Sequence, residues 1–371
     1  MTAAQRPLSK VHLPALDTLR GVAIVLVLFH NLSIFASSGT LSEKLWNAFV
    51  ESGWIGVQLF FVLSGFLITG ILLDDRDKPR GIRVFYIRRF LRIFPLYYAV
   101  LIVYFIVLPP FFPVLQRPLS ETVWYWLYLS NWSWLFYGVL PGVGHLWSLA
   151  VEEQFYIVWP WVSVRTRPKT LAWICVAVVL GSLGARSILH FLRFSDLWLY
   201  SATISRADAL AMGALVALAI RSEGWRPRLA RALRPAFVFS MVALLSLMAL
   251  THGMNRNNPL VQTWGYSLIG IGSAVLVAVA ARPDARRRRS SKVLRFFGKY
   301  SYGIYLLHPP LKHAAYHFFR PNLEAMLEAR PITTDVAFIS AVTVATIAVA
   351  LVSWFALEKP LLGLKDRLAP R

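Results

Sequence analysis

Cysteine and acidic residues are both scarce in this sequence. Cys175 is the one cysteine among 371 residues, which excludes a disulfide framework and a cysteine-rich metal site. Only 15% of the residues are charged, against 57% that are apolar. This leaves too little polar sequence for a large soluble domain, so we expect residues 1–371 to form one membrane domain with no appended soluble domain.

Long hydrophobic runs are abundant instead. A helix needs roughly 20 apolar residues to cross a bilayer, and a run opened by Arg20 and interrupted by His30 does not resemble a cleavable signal peptide. We therefore predict an all-α polytopic membrane protein with about ten transmembrane helices, near residues 19–37, 53–73, 93–113, 146–163, 170–190, 202–220, 236–252, 262–281, 300–318 and 334–357.

The basic residues predict the orientation of these helices. With the N-terminus inside, 29 of the 39 Lys and Arg residues fall in cytoplasmic segments and 6 in outer ones, as the positive-inside rule requires. Both termini are then cytoplasmic. A crossing by the aromatic stretch 124–137 would invert every later loop, so we interpret that stretch as re-entrant or interfacial.

The same pattern accounts for the net charge of +21, which by itself suggests a nucleic-acid partner. The run Arg286–Arg289 is similar to a nuclear-import tract. Its place in a cytoplasmic loop favours contact with anionic membrane lipid. We expect membrane lipid and no nucleic acid among the partners.

Ionisable residues at membrane depth are costly, so each one suggests a functional site. The first is His30, which follows Arg20 by ten residues and so lies about 15 Å deeper along a helix. Its imidazole changes protonation near neutral pH. His30 is either a catalytic group or a packing residue hydrogen-bonded to a neighbouring helix.

A second candidate is the arginine-rich stretch 81–98, which contains Arg88, Arg89 and Arg92. Arg88 and Arg92 are four residues apart and so share a helix face. Guanidinium groups on one face can bind phosphates in forked geometry. The alternative is an amphipathic interfacial helix that contacts anionic lipid.

A third candidate is the stretch 145–160, HLWSLAVEEQFYIVWP. The adjacent carboxylates Glu152 and Glu153 follow His145 and Ser148 into an apolar span. Neighbouring helical residues project about 100° apart, so at least one carboxylate faces the bundle and needs a cation or donors. A structural ion pair and a functional site both fit this pattern, and the site is expected toward the outer face.

Two further stretches carry polar residues into predicted spans. Arg206 and Asp208 lie at the outer end of one, where they pair with each other, pair with other charges or bind substrate. His308 precedes two prolines in 299–310, and we expect the helix to break there. Ser64 and Cys175 are interpreted as packing residues.

These stretches, in this order, resemble acyltransferase family 3, membrane enzymes that O-acylate bacterial polysaccharides and related glycans. The matching motifs cover nearly the whole chain: LDTLRGVAIVLVLFH, GVQLFFVLSGFLI, FYIRRFLRIFPLYY, HLWSLAVEEQFYIVWP, SRADALAMGALVA, GKYSYGIYLLHPP and SWFALEKP. The resemblance implies transfer of an acyl group, usually acetyl from acetyl-CoA, to a sugar hydroxyl. It maps the family's functional residues onto Arg20, His30, Arg89, Arg92 and the pair Glu152–Glu153.

One spacing departs from the family pattern. The family has ten residues between its arginine and its histidine, whereas nine separate Arg20 from His30. Ten helical steps leave two side chains about 80° apart around the axis. We therefore expect that Arg20 and His30 need not touch.

The resulting hypothesis is a membrane O-acyltransferase of the bacterial cytoplasmic (inner) membrane. Its catalytic residues are His30 as general base, Arg20, Glu152 and Glu153, whereas Arg88, Arg89 and Arg92 bind acetyl-CoA, the expected acyl donor. A glycan or lipid-linked sugar acceptor binds on the outer side, and the candidate substrate-binding residues are His145, Ser148, Arg206, Asp208 and His308.

No metal is expected, and other envelope-biosynthesis proteins are candidate partners. One alternative is a multi-span transporter of a sugar, lipid or acid with a buried proton relay. Another is a non-catalytic membrane scaffold.

Overall fold

Every regular element in the described part of the chain is helical. The computed structural model describes residues 13–35, 39–78, 80–251, 254–282 and 291–369. Arg286–Arg289 lies outside them, as does the predicted end of the first span at residue 37. The helices are α1 Pro14–Leu32, α2 Leu41–Glu51, α3 Ile55–Asp74, α4 Gly81–Ile102, α5 Leu119–Trp126, α6 Ser130–Tyr137, α7 Leu146–Arg165, α8 Pro168–Phe191, α9 Asp196–Ser201, α10 Thr203–Arg221, α11 Arg226–Leu250, α12 Tyr266–Ala280, α13 Lys292–Ala329, α14 Pro331–Ser353, α15 Lys359–Gly363 and α16 Lys365–Leu368.

Several helices are long and apolar enough to cross a membrane, which confirms an all-α polytopic membrane protein. Among the described residues eight helical stretches meet this criterion: Pro14–Leu32, Leu41–Asp74, Gly81–Val107, Pro168–Phe191, Asp196–Arg221, Arg226–Leu250, Val261–Ala280 and Pro331–Leu368. The other two predicted spans, 146–163 and 300–318, correspond to α7 and α13, whose polar residues lower their hydropathy. The count of ten and the orientation remain predictions.

The aromatic stretch 124–137 forms parts of two short helices, α5 and α6, of eight residues each. Tyr128 between them has a left-handed φ of 54°, which turns the chain. A helix of eight residues is about 12 Å long, less than half the thickness of a hydrocarbon core. The stretch therefore does not cross, in agreement with the re-entrant or interfacial interpretation.

The centre of the bundle consists of α1, α3, α10, α12 and α13, which pack closely on one another. Glycine permits the approach of α3 to α10. A Cβ at Gly65 would lie 1.9 Å from the Leu210 carbonyl oxygen, and one at Gly213 would lie 2.0 Å from that of Val62. Small residues let transmembrane helices come into backbone contact in this way.

The first helix begins at Pro14, five residues before the predicted start of the span. Pro14 occupies the first helical turn, where the missing N–H costs no hydrogen bond. At the other end, the Lys312 ammonium donates to the carbonyl oxygens of Asn31 and Ser33, at 2.7 and 2.8 Å. These bonds satisfy acceptors at the helix C-terminus and hold the end of α1 that carries His30.

The expected helix break at His308 is wrong. The 38-residue α13 continues through Pro309 and Pro310. Each proline removes one backbone donor, but its φ is compatible with a helix. Side-chain bonds support this turn: His308 Nδ1 donates to the Ile304 carbonyl oxygen at 3.1 Å, and Nε2 accepts from the Asn31 amide at 2.9 Å.

Candidate active site

Three arginines from two helices meet at one cavity of about 100 Å³, here called the arginine cavity. Arg20 of α1 enters it from one side, and Arg89 and Arg92 of α4 enter from another. Arg89 and Arg92 are three residues apart, a spacing that puts both on one helix face. Among the other lining residues are Ser64, Ser148, Glu152, Tyr156, Tyr302 and Tyr305.

Glu152 provides the negative charge in the arginine cavity. Its Oε1 accepts a hydrogen bond of 2.5 Å from the Ser64 hydroxyl. The Arg89 guanidinium lies 4.6 Å from the centre of the Tyr156 ring, so the ring face restricts its orientation. One carboxylate faces three guanidinium groups in this lining, and Arg20 also pairs with Asp17 at 3.1 Å. The positive charge still exceeds the negative charge, which suits the cavity to an anion.

Ser64 corrects the sequence interpretation, which assigned it to packing. Its hydroxyl lies in the cavity and bonds the partly buried carboxylate of Glu152. The signal was present in the sequence, since Ser64 is a lone polar side chain in the run FFVLSGFL. The small size of serine explained its presence equally well as a packing residue. Only the contact with Glu152 of α7 distinguishes packing from a hydrogen-bonding role.

Arg88 lies apart from this cavity, contrary to its grouping with the other two arginines. Its Nε and Nη2 donate to the Ala369 carbonyl oxygen at 2.9 and 2.8 Å, and Nη2 also donates to Asp366 at 3.0 Å. The shared face of Arg88 and Arg92 is one helical turn long. The C-terminal segment packs against this face at Arg88, and its acceptors take up the N–H donors of the Arg88 guanidinium.

A second cavity, of about 220 Å³, adjoins the first and shares Arg20, Arg92 and Tyr302 with it. Lys299 lines it and lies 5.8 Å from the ring of Trp354. Its lining also includes two carboxylates, Glu358 and Asp17, and Asp17 pairs with Arg20 at 3.1 Å. This side cavity therefore adds a further cation and an aromatic ring, together with negative charge.

Glu152 does not share a cavity with His145, with which the sequence analysis grouped it on the outer side. Glu152 lies seven residues after His145, a rise of about 10 Å on one helix. At this depth Glu152 lines the arginine cavity, whereas His145 lines a different cavity. Glu153 is buried with 7% of its surface exposed, and the described lining of the arginine cavity includes Glu152 and not Glu153.

His30 belongs to a larger cavity of about 560 Å³, here called the histidine cavity. Its walls combine aromatic rings with a comparable share of polar side chains, so it can both pack against a small molecule and hydrogen-bond it. Among the lining residues are His30, Asn31, Trp54, Val57, Trp134, His145, Trp147, Asp196, Tyr200, Arg256 and Tyr305.

One hydrogen bond sets the chemistry of His30. Its Nδ1 donates to the Val50 carbonyl oxygen at 3.1 Å, because a carbonyl can only accept. In the neutral ring Nε2 is then the nitrogen with a free lone pair. This arrangement suits a general base. The partner Val50 lies in the last turn of α2, a helix that the sequence analysis did not anticipate.

Arg20 and His30 line different cavities, in keeping with their expected angular offset on α1. Val57 and Tyr305 line both cavities and form the wall between them. The Tyr305 hydroxyl lies 2.6 Å from Ser148 Oγ and donates to the His145 carbonyl oxygen at 3.1 Å. Tyr305 precedes His308 by three residues in a quoted motif, so the helical spacing could have identified it.

Two of the predicted substrate-binding residues, Asp208 and His308, hydrogen-bond other residues of the bundle. Asp208 accepts from Arg186 at 2.9 Å and from Ser267 at 2.7 Å, with both charged side chains fully buried. His308 bonds Asn31 as described above. Arg206 is fully buried as well, but its guanidinium hydrogen-bonds no described residue and lies 4.3 Å from the centre of the Tyr266 ring. Positions 206 and 208 are about 200° apart on α10, which explains why they do not pair with each other.

The comparisons with known proteins agree with the geometry. The family model described as an acyltransferase domain matches residues 13–357. The peptidoglycan O-acetyltransferase OatA of Listeria monocytogenes is 30% identical over 325 residues, which cover 82% of this chain and 50% of that protein. The O-acetyltransferase OatA of Staphylococcus aureus is 28% identical over 323 residues, 81% of this chain and 50% of that protein.

The chain thus spans about half the length of the curated relatives it matches. No solved structure matches it. The family match covers the residues of both cavities, from Arg20 and His30 to Tyr305. The chain belongs to acyltransferase family 3.

Proposed function

We propose that this protein is a membrane O-acyltransferase that transfers acetyl from acetyl-CoA to a hydroxyl group of a cell-envelope glycan. The observation that carries the proposal is the pair of cavities that meet at Val57 and Tyr305. One cavity is cationic, and the other contains an imidazole with a free ring nitrogen. A transferase that moves an acyl group from an anionic donor to a neutral hydroxyl needs cations to bind the donor and a base to deprotonate the hydroxyl.

The donor side of the proposal rests on charge. Arg20, Arg89 and Arg92 bind phosphate oxygens of CoA, since guanidinium groups form strong forked bonds to phosphates. Lys299 and Trp354 in the side cavity add a further cation and a ring surface for the nucleotide. The predicted orientation puts this side toward the cytoplasm, where acetyl-CoA is available.

His30 is the proposed general base. A sugar hydroxyl with a pKa of about 16 is a weak nucleophile at neutral pH, and a positioned base contributes roughly 10²–10⁴-fold. Nε2 takes the hydroxyl proton as the oxygen attacks the thioester carbonyl. The carbon–sulfur bond then breaks, CoA leaves as a thiolate that takes up a proton, and the sugar is released as its acetyl ester.

Transfer requires the thioester and the hydroxyl to meet at the wall formed by Val57 and Tyr305. The Tyr305 hydroxyl and Ser148 face each other there, at the boundary of the two cavities. The reactive end of the donor therefore approaches from the arginine cavity, and the acceptor approaches from the histidine cavity. Neither substrate has to cross the whole membrane.

The relatives suggest the acceptor class. The two described above are named as an O-acetyltransferase and a peptidoglycan O-acetyltransferase. We extend this to peptidoglycan, or its lipid-linked sugar precursor, as the acceptor to test first. The corresponding location is the bacterial cytoplasmic membrane, with other envelope-biosynthesis proteins as candidate partners.

The test is a transfer assay with the purified full chain in lipid nanodiscs. Deuterated acetyl-CoA and a peptidoglycan fragment are incubated with the protein, and mass spectrometry follows the labelled ester. The wild-type protein should form it, and His30→Ala should lose at least about 10²-fold in rate. His190→Gln, a change at an exposed histidine of α8, is the matched control and should keep the wild-type rate.

The same assay distinguishes the alternative functions. A transporter with a proton relay, or a scaffold, would release no CoA thiol in the presence of acceptor. Membership of an acyltransferase family argues against both. A folded His30→Ala protein that transfers acetyl at the full rate would contradict the assignment of the base.

A further inference from the structure

One cation of the histidine cavity has no role in the proposed transfer. Arg256 lies in the loop before α12 and lines the cavity together with His30. Among the described residues no carboxylate forms an ion pair with it, although Asp196 lines the same cavity. An arginine in a partly enclosed site without a carboxylate partner is suited to an anionic ligand.

The loop that carries Arg256 is anchored to the core. The indole of Trp54 donates to the Met254 carbonyl oxygen at 3.0 Å, and the Tyr266 hydroxyl donates to the Arg256 carbonyl oxygen at 3.0 Å. Both donors are fully buried side chains. The backbone of Arg256 is therefore held against the rigid part of the cavity wall.

The side chain is oriented as well. The Arg256 guanidinium lies 4.9 Å from the centre of the Tyr200 ring. Tyr200 lines the same cavity and is 5% exposed. A guanidinium that stacks on an aromatic face keeps its edge N–H donors free for a planar anion. Arg256 is thus a pre-oriented donor group on the acceptor side.

We propose that Arg256 binds an anionic group, a carboxylate or a phosphate, carried by the acceptor in the histidine cavity. This inference rests on the proposed function, since it assigns the histidine cavity to the acceptor. It narrows the acceptor from any sugar with a free hydroxyl group to an acidic glycan or a sugar phosphate. The anion would bind at Arg256 while a hydroxyl of the same molecule is held for attack.

The test compares acidic probes with their neutral counterparts. The purified full chain is held in nanodiscs of zwitterionic phosphatidylcholine, and binding is followed by saturation-transfer NMR titration. N-acetylmuramic acid against its methyl ester reports on a carboxylate. N-acetylglucosamine 1-phosphate against N-acetylglucosamine reports on a phosphate.

The wild-type protein should bind at least one acidic probe about tenfold more tightly than its neutral counterpart. Arg256→Gln should reduce this ratio to about one, and Arg256→Lys should keep part of it because the charge remains. Arg117→Gln, at an exposed arginine predicted on the same side, should leave the ratio unchanged.

Equal affinity for acid and neutral probe in both pairs would overturn the inference, as would a preference that survives Arg256→Gln. The probe pair in which the acidic member binds more tightly identifies the anion as a carboxylate or a phosphate. Since binding is measured without acetyl-CoA, the result does not depend on acetyl transfer. A preference that depends on Arg256, together with no acetyl ester in the transfer assay, would count against the proposed function alone.

Discussion

The hydroxyl of Tyr305 lies 2.6 Å from Ser148 Oγ, in the wall between the arginine cavity and the histidine cavity. The two residues come from α13 and α7, which are far apart in the chain. Tyr305 lines both cavities, whereas Ser148 faces the arginines. This contact is where the donor and acceptor compartments of the proposed enzyme meet.

We expect Tyr305→Ala to open this wall. Water from the histidine cavity would then reach a bound thioester, so hydrolysis of acetyl-CoA without acceptor should rise several-fold. A colorimetric thiol assay on the purified protein measures it. Tyr305→Phe keeps the ring and should show the wild-type hydrolysis rate, so equal rates in the Ala and Phe variants would contradict a barrier role.

Substitutions of the three arginines of α4 should differ in their effect on the KM for acetyl-CoA. Arg89→Ala and Arg92→Ala each remove a cation from the donor cavity and should raise the KM for acetyl-CoA by about tenfold, the effect of one charged hydrogen bond. Arg88→Ala is the matched control, because its guanidinium bonds the C-terminal segment. Its KM should stay at the wild-type value. Initial rates at varied acetyl-CoA decide this, and a KM raised equally in all three variants would contradict the assignment.

The two adjacent glutamates should also differ. Glu152→Gln removes the one carboxylate in the described lining of the arginine cavity, so the positive charge there is less well balanced and Ser64 loses a charged acceptor. We expect kcat to fall about tenfold or more. Glu153→Gln should change kcat by less than about twofold, since Glu153 is not among the described residues that line the donor cavity. A tenfold fall in kcat corresponds to about 1.4 kcal/mol in activation free energy, and equal losses in the two variants would argue against the distinction.

The buried ion pair of α8 and α10 gives a stability prediction. Asp208→Ala leaves the fully buried Arg186 without its carboxylate, and such a change costs about 3–5 kcal/mol. Asp366→Ala removes the partner of Arg88 at a site where the aspartate side chain is 70% exposed. This second loss should stay below about 1 kcal/mol. Unfolding in detergent micelles, followed by tryptophan fluorescence, compares the two.

The contact of α3 with α10 predicts a steric effect. Gly65→Ala puts a Cβ 1.9 Å from the Leu210 carbonyl oxygen, so the helices must separate. Overpacking of this kind costs about 1–3 kcal/mol. At Gly184 a Cβ meets nothing within 4 Å, and Gly184→Ala should stabilise α8 by about 0.5–1 kcal/mol. Thermal unfolding midpoints should therefore move in opposite directions, and a Gly65→Ala midpoint at or above wild type would contradict the close approach.

Many residues of the candidate site could be predicted from the sequence. Polar residues in apolar runs identified Arg20, His30, Glu152 and the arginines of α4. The ten-residue step from Arg20 to His30 indicated an angular offset, and the structure assigns the two residues to different cavities. Burial cost is a property of each side chain, so it can be assessed without knowing the neighbours.

Other features depended on contacts between distant segments. Ser64 has a role because α7 brings Glu152 to it, and Arg88 is occupied because residues 366 and 369 fold back onto α4. Arg256 lines the histidine cavity because Trp54 and Tyr266 anchor its loop. Apart from Tyr266, which is ten residues from Arg256, these partners lie from 88 to 281 residues away in the chain, and local patterns hold no information about them.

By itself the sequence determined that the chain is helical, spans a membrane and belongs to its family, because apolar run length and motif order are properties of short segments. Only the tertiary structure decided which of Glu152 and Glu153 faces the arginines and that His30 lies in a separate cavity. Helical periodicity relates residues to their own axis, but the rotation of one helix against its neighbours is decided by their packing.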